Sequence, residues 1–166
     1  MYRQAMLGCM KAPIQTVLLA HMPSALPEVS AWLFREWRHR NPGSSLERAI
    51  LKVGLCSNVN RLPIALIAVV DGKPAGTASI VETENAEDEP GPWVSGVYVL
   101  PQHRGRKIAT ILMNRLEHEA IRLSTRQLLL SAAVPELHER LGYTATGAIK
   151  HGEPIMVKNL SMVSSL

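Results

Sequence analysis

Aromatic residues are scarce in this chain, with three Trp, three Tyr and one Phe among 166 residues. Single-stranded nucleic-acid binders stack bases on aromatic rings set among basic residues, and no such interleaving occurs here. The net charge of +4 and a pI near 9.3 therefore do not by themselves indicate nucleic acid. The basic residues are scattered apart from Arg35 to Arg40 and Arg104 to Lys107. Cysteine is scarcer still. Cys9 and Cys56 make neither a disulfide framework nor a metal site, and read as two reduced thiols of a cytoplasmic protein. No apolar run reaches the roughly 18–20 residues needed to span a membrane. Ile14 to Ala20 is apolar but short, lies between Pro13 and His21, and precedes no convincing cleavage site, so it reads as a strand. A convincing Ser–His–Asp arrangement is also missing. The expectations are no membrane, no nucleic acid and no metal.

What is present describes a globular protein. Apolar residues make up 46% and charged residues 19%, a balance that supports one folded domain with a sizeable core. Residues 1–12 have no clear pattern and are expected to form a loose leader, with a single domain over 13–166. A strand is expected at Ile14–Ala20. Ser24 is placed as the N-cap of a helix reaching about Arg40, with Leu26, Val29, Leu33 and Trp37 on one side. Asn41-Pro-Gly43 ends it, and Ser45 and Arg48 frame a second helix. The unbroken apolar run Ile64–Val70 predicts a buried strand, Asp71-Gly72 a tight hairpin turn, and Ala75–Glu84 the partner strand. Asn85–Pro92 is an acidic loop. Then come a strand at Trp93–Leu100, a helix at Arg104–Leu123, a strand at Gln127–Ser131, a short helix at Pro135–Leu141, and strands near Tyr143–Ile149 and Pro154–Leu160. Antiparallel hairpins combined with one strand–helix–strand unit make a mixed sheet.

The most informative stretch is Val97-Tyr-Val-Leu-Pro-Gln-His-Arg-Gly-Arg-Lys-Ile-Ala-Thr110. An apolar strand meets a proline, a basic glycine-bearing turn follows, and a helix opens at once. The first peptide N–H groups of a helix have no intrahelical partners and lie at the positive end of its dipole, so they bind anions. Arg104, Arg106 and Lys107 add full charges there. Taken alone, such a turn is commonly a solvated loop. The frame Arg104-Gly-Arg-Lys-Ile-Ala109, the preceding Trp93–Pro101 and the segment Leu137-His-Glu-Arg-Leu-Gly-Tyr143 occur together and in order. In that combination the chain resembles the GNAT superfamily of acyl-CoA-dependent N-acetyltransferases. The family pattern is Arg or Gln, two residues, Gly, one residue, then Gly or Ala; Arg104 and Ala109 match, and Lys107 replaces the middle Gly.

The resemblance implies an α/β fold of α+β type: a mixed, mostly antiparallel sheet of six to seven strands, about four helices on both faces, and a splay between the fourth and fifth strands. It implies acetyl-CoA as donor. Val97, Tyr98 and Val99 would offer amides to the pantetheine arm, and Arg104, Gly105, Arg106, Lys107, Ile108, Ala109 and Thr110 would hold the pyrophosphate. It also implies direct transfer to an amine, with no acyl-enzyme. The family's thiolate acid is often a tyrosine, and His138 stands at that position. Tyr98 and Tyr143 are the other hydroxyls considered. The best carboxylates for a base are Glu82 and Glu84, acting through water. Glu82, Glu84, Glu87, Asp88 and Glu89 form an acidic cluster that would attract cationic amines if it lined the acceptor cleft. The expected acceptor is a small-molecule amine. A catalytically silent CoA-binding module and a basic interaction domain stand as alternatives, and a homodimer through an exposed sheet edge is left open.

Overall fold

The computed structural model describes residues 11–84 and 91–161. The expected leader, except Lys11 and Ala12, and Glu87, Asp88 and Glu89 of the acidic loop lie outside the described residues. Seven strands form one sheet: β1 (Ile14–Leu18), β2 (Ile64–Val70), β3 (Lys73–Val81), β4 (Trp93–Val99), β5 (Gln127–Ser131), β6 (Thr144–Lys150) and β7 (Glu153–Asn159). Their order across the sheet is β1-β2-β3-β4-β5-β7-β6. All neighbouring strands are antiparallel except β4 and β5. The helices are α1 (Leu26–Trp37), α2 (Leu46–Gly54), α3 (Ile108–Arg122) and the short α4 (Pro135–Arg140).

Strand β2 explains the layering. It is buried at every position, because its two faces serve two cores. Ile64, Leu66, Ala68 and Val70 join Ile108, Leu112 and Leu116 of α3. Ala65, Ile67 and Val69 face Val29 and Trp32 of α1 and Val53 of α2. The uninterrupted apolar run thus marks a strand covered on both sides. The Asp71-Gly72 turn has positive φ at both residues, 51° and 73°, which matches the right-handed twist of a two-residue hairpin.

Two helix starts differ from expectation, and one agrees. Ser24 does not cap α1. It sits inside a single 3₁₀ turn, Pro23–Ala25, and the α1 N-cap Ala25 has αR torsions and no side-chain bond. Ser45 does cap α2, its hydroxyl accepting from the Arg48 N–H at 3.2 Å. Helix α3 begins at Ile108 rather than Arg104, because Lys107 adopts left-handed torsions that interrupt the helix.

Two features of β4 position the cleft. Its register with β3 slips between Thr77↔Tyr98 and Ser79↔Ser95, so that two β4 residues face Ala78. Gly96 occupies this bulge with φ +62°. The extra residue flips the side-chain alternation: Val94, Val97 and Val99 all pack on the α3 side, while Tyr98 turns to α1. On its other edge β4 meets β5 at one register pair, Trp93↔Leu129, and beyond it the strands part.

Gly76 of β3 lets β4 and α3 approach. A Cβ there would lie 2.9 Å from the Tyr98 carbonyl oxygen and 3.3 Å from Ile108 Cγ2 and Leu112 Cδ1. Gly76→Val should lower stability by about 1–3 kcal/mol through overpacking, read as a lower urea midpoint. An unchanged midpoint would show that β4 and α3 yield freely at this point.

Candidate active site

The parting of β4 from β5 opens a cleft of about 1310 Å³. Its floor includes Ser79 and Val81 of β3 and residues Val94–Val99 of β4. One wall comes from α1, α2 and their connection; the other from the start of α3, α4 and the β6–β7 turn.

Of the residues expected to hold the donor, Val97, Tyr98, Val99, Arg104, Gly105, Lys107, Ile108, Ala109 and Thr110 line this cleft. Arg106 does not. Its guanidinium donates to the Ala12 carbonyl at 2.6 Å and ties the turn to the segment before β1. Arg104 Nε donates to the Val99 carbonyl at 3.0 Å, and its guanidinium lies 5.7 Å from the centre of the Tyr98 ring. The Tyr98 ring is further held by Trp32 and Trp37, at centroid distances of 6.0 and 6.3 Å. Its side chain therefore fixes the α1 wall as well as facing the cleft.

Lys107 is the N-cap of α3 with φ +60° and no side-chain cap bond. A lysine thus holds a torsion that glycine adopts freely, at a cost of about 1–2 kcal/mol for a left-handed non-glycine residue. Gly105, two residues earlier, has φ +78°, and a Cβ there would meet nothing within 4 Å. The turn is thus open, its helix start uncapped, and its lysine has no ion-pair partner among the described residues. That combination suits an anion.

His138 lines the cleft from α4. Burial lowers its pKa below the ordinary 6.5, its Nδ1 is buried without a partner, and its ring meets Tyr143 edge-on at 5.9 Å. Tyr143 is not in the cleft. It is 1% exposed in the core beneath α3, and burial together with the neighbouring Glu117 carboxylate pushes its phenol far above the usual value. Lys158 locks this corner, donating to Glu117 Oε2 at 2.8 Å and to the Leu141 carbonyl at 2.6 Å. Tyr143 is accordingly a packing residue that braces α4.

The two carboxylates separate. Glu82 lies away from the cleft, beside Asn60 and Arg122. It stands just past the last residue of β3, beside the C-terminal end of α3. The structure does not bring Glu82 to His138 or Tyr98. Glu84 lines the cleft but pairs with Lys150 at 2.5 Å. Glu153, which the sequence reading did not single out, also lines it and takes Arg40 at 2.6 Å. Arg48 and Lys52 of α2 were missed too. Their four-residue spacing, continued by Cys56, was the available signal for one helix face turned to the cleft. Burial raises the Cys56 thiol to about 11, partly offset by Lys52, so it stays protonated and inert.

Solved structures share this architecture. An aminoglycoside 6'-acetyltransferase type Ii aligns with a TM-score of 0.68 at 20% identity, over 90% of this chain and 97% of the other. A GNAT-family acetyltransferase from Streptococcus pneumoniae aligns at 0.67 and 16%, over 90% and 100%. The PaiA N-acetyltransferase from Thermoplasma acidophilum, solved in complex with coenzyme A, aligns at 0.65 and 17%, over 89% and 99%. Among curated proteins, none matches the chain. The model of the acetyltransferase (GNAT) family matches residues 23–143, which span α1 to the end of the α4 segment and so include the splayed strands, the basic turn and α3. On that match the chain belongs to the GNAT family of acetyltransferases.

Proposed function

We propose that the chain transfers an acetyl group from acetyl-CoA to a small-molecule primary amine by direct attack on the thioester, without an acyl-enzyme. The observation that carries this reading is the uncapped, cationic start of α3 at the end of the β4 edge that β5 leaves open. On this reading Val97 and Val99 present main-chain amides to the amide-bearing pantetheine arm, as a sheet edge receives an added strand, while the backbone of Tyr98 between them turns to β3. The N–H groups of Ile108, Ala109 and Thr110 receive the pyrophosphate, with Arg104 and Lys107 supplying charge and Gly105 keeping the turn open. Arg106 acts indirectly, by tethering the turn to Ala12. The cytoplasm, where thiols stay reduced, is the proposed location.

The chemistry needs a neutral amine, a polarised carbonyl and a proton for the leaving sulfur. A β4 N–H beside the Gly96 bulge polarises the thioester oxygen. His138 manages the proton. The sequence reading gives it the role of thiolate acid, yet burial favours its neutral form. A neutral imidazole is suited to take the proton that the attacking amine sheds and pass it to the departing thiolate. Tyr98 contributes its ring, which forms part of the cleft wall. Glu82 has no part, given its position on the α3 side.

Acetyl-CoA-dependent thiol release across a panel of amines tests this function; release with none of them, by protein that binds acetyl-CoA, would favour the silent binder. Ala109→Trp fills the phosphate approach and should abolish calorimetric binding of acetyl-CoA, and normal affinity in that variant would refute the cradle. Lys107→Gly should leave stability nearly unchanged, because relief of about 1–2 kcal/mol of torsional cost offsets about 0.5–1 kcal/mol of added chain entropy. The same variant should bind acetyl-CoA more weakly and with less salt dependence. Unaltered affinity and salt dependence would remove the lysine from the phosphate site. For His138 the sign follows from its lowered pKa: the working neutral form persists through neutral pH and is lost on acidification. kcat should fall as pH drops below 6.5. His138→Phe should erase that limb and lower kcat by about 10²-fold, with acetyl-CoA affinity retained. An unchanged pH profile would exclude His138.

A further inference from the structure

We propose that the acceptor amine carries a carboxylate, received by Arg48 and Lys52 on the α2 wall of the cleft. This rests on the acetyl-CoA reading above and concerns the other end of the same cleft. The two residues stand one helical turn apart and both line the cleft. Like charges at this spacing repel along a helix, although Arg48 also donates to the Gly43 carbonyl at 2.9 Å and Lys52 stands in the last turn of α2. Neither has an ion-pair partner among the described residues.

Backbone register places this wall away from the phosphate turn. The Cys56 carbonyl, just beyond α2, accepts from the Ala65 N–H at 3.1 Å. Ala65 pairs with Ser79, and Ser79 with Ser95. The α2 end therefore sits over the first half of β4, whereas Arg104, Gly105 and Lys107 follow its far end, after Val99. The C-terminal end of α2 and the basic turn thus lie at different levels along β4.

Among the described residues, the acids that line the cleft do not balance this charge. Glu153 is engaged by Arg40 and Glu84 by Lys150, which leaves Glu36 against Arg48, Lys52 and the neighbouring Arg38. A cleft of this sign repels polyamines and aminoglycosides and attracts an amine with an anionic substituent. A fork-shaped guanidinium beside an ammonium is well matched to a carboxylate.

The test is thiol release from acetyl-CoA with matched primary amines: free amino acids, peptides with acidic N-termini, the corresponding carboxamides, and diamines. Carboxylates should exceed their carboxamides in kcat/KM by about tenfold or more. The double substitution R48Q/K52Q should bring that ratio close to one. Turnover of free amino acids would assign a small substrate, and turnover of acidic peptides alone an acidic N-terminus; both support the proposal. Equal rates for carboxylate and carboxamide, preference for diamines, or no turnover of any carboxylate amine by protein that binds acetyl-CoA would overturn it alone. Failure to bind acetyl-CoA would bring down the donor assignment as well.

Discussion

Strands β4 and β5 are joined at Trp93↔Leu129 and then diverge, and the rest of the molecule is arranged around that divergence. A parallel pair cannot close with a tight turn, so the chain between them must travel. Here it travels through the basic turn and α3. The same connection that forces the strands to be parallel delivers a helix start to the mouth of the gap. The bulge at Gly96 adds to this by rotating the second half of β4, turning Tyr98 toward α1 while Val97 and Val99 stay on the α3 core. An unpaired strand edge, a helix N-terminus and an aromatic wall thus arise from one topological feature.

The supporting structure is stiff where the cleft needs it. Trp32 and Trp37 hold the Tyr98 ring, and Arg104 covers it while bonding the end of β4. Lys158 holds Glu117 and the Leu141 carbonyl, which fixes the corner from which His138 reaches the cleft. The Arg40–Glu153 pair joins the α1–α2 connection to β7. Apart from the local contacts of Arg104, each of these spans elements far apart in sequence, so the two walls are positioned mainly by tertiary bonds and not by local propensity.

Much of the architecture could be read in advance because its signals are local. The run Ile64–Val70, the Asp71-Gly72 turn and the strand Gln127–Ser131 each depend on a few adjacent residues, and they fall where expected. The basic turn and the Leu-Gly-Tyr segment pointed to the family. What escaped depended on three-dimensional register. Glu82 seemed a reasonable base until the fold placed it just past β3, beside Arg122 of α3. Tyr143 carried a hydroxyl in a recognisable motif, and only its burial against Glu117 reveals a brace. The opposing charge of the α2 wall was invisible because Arg48 and Lys52 acquire meaning only when the splay puts them opposite β4.

The central claim is that the open edge of β4 receives the donor as an extra strand. Amide hydrogen exchange with and without acetyl-CoA tests it most directly, because edge amides exchange freely until they are paired. The account predicts slowed exchange of the Val97 and Val99 amides, together with those of Ile108, Ala109 and Thr110, when the ligand is added, while the Tyr98 amide, on the β3 side, is protected with or without it. Saturating acetyl-CoA that leaves the β4 amides unchanged while protecting another part of the molecule would contradict it.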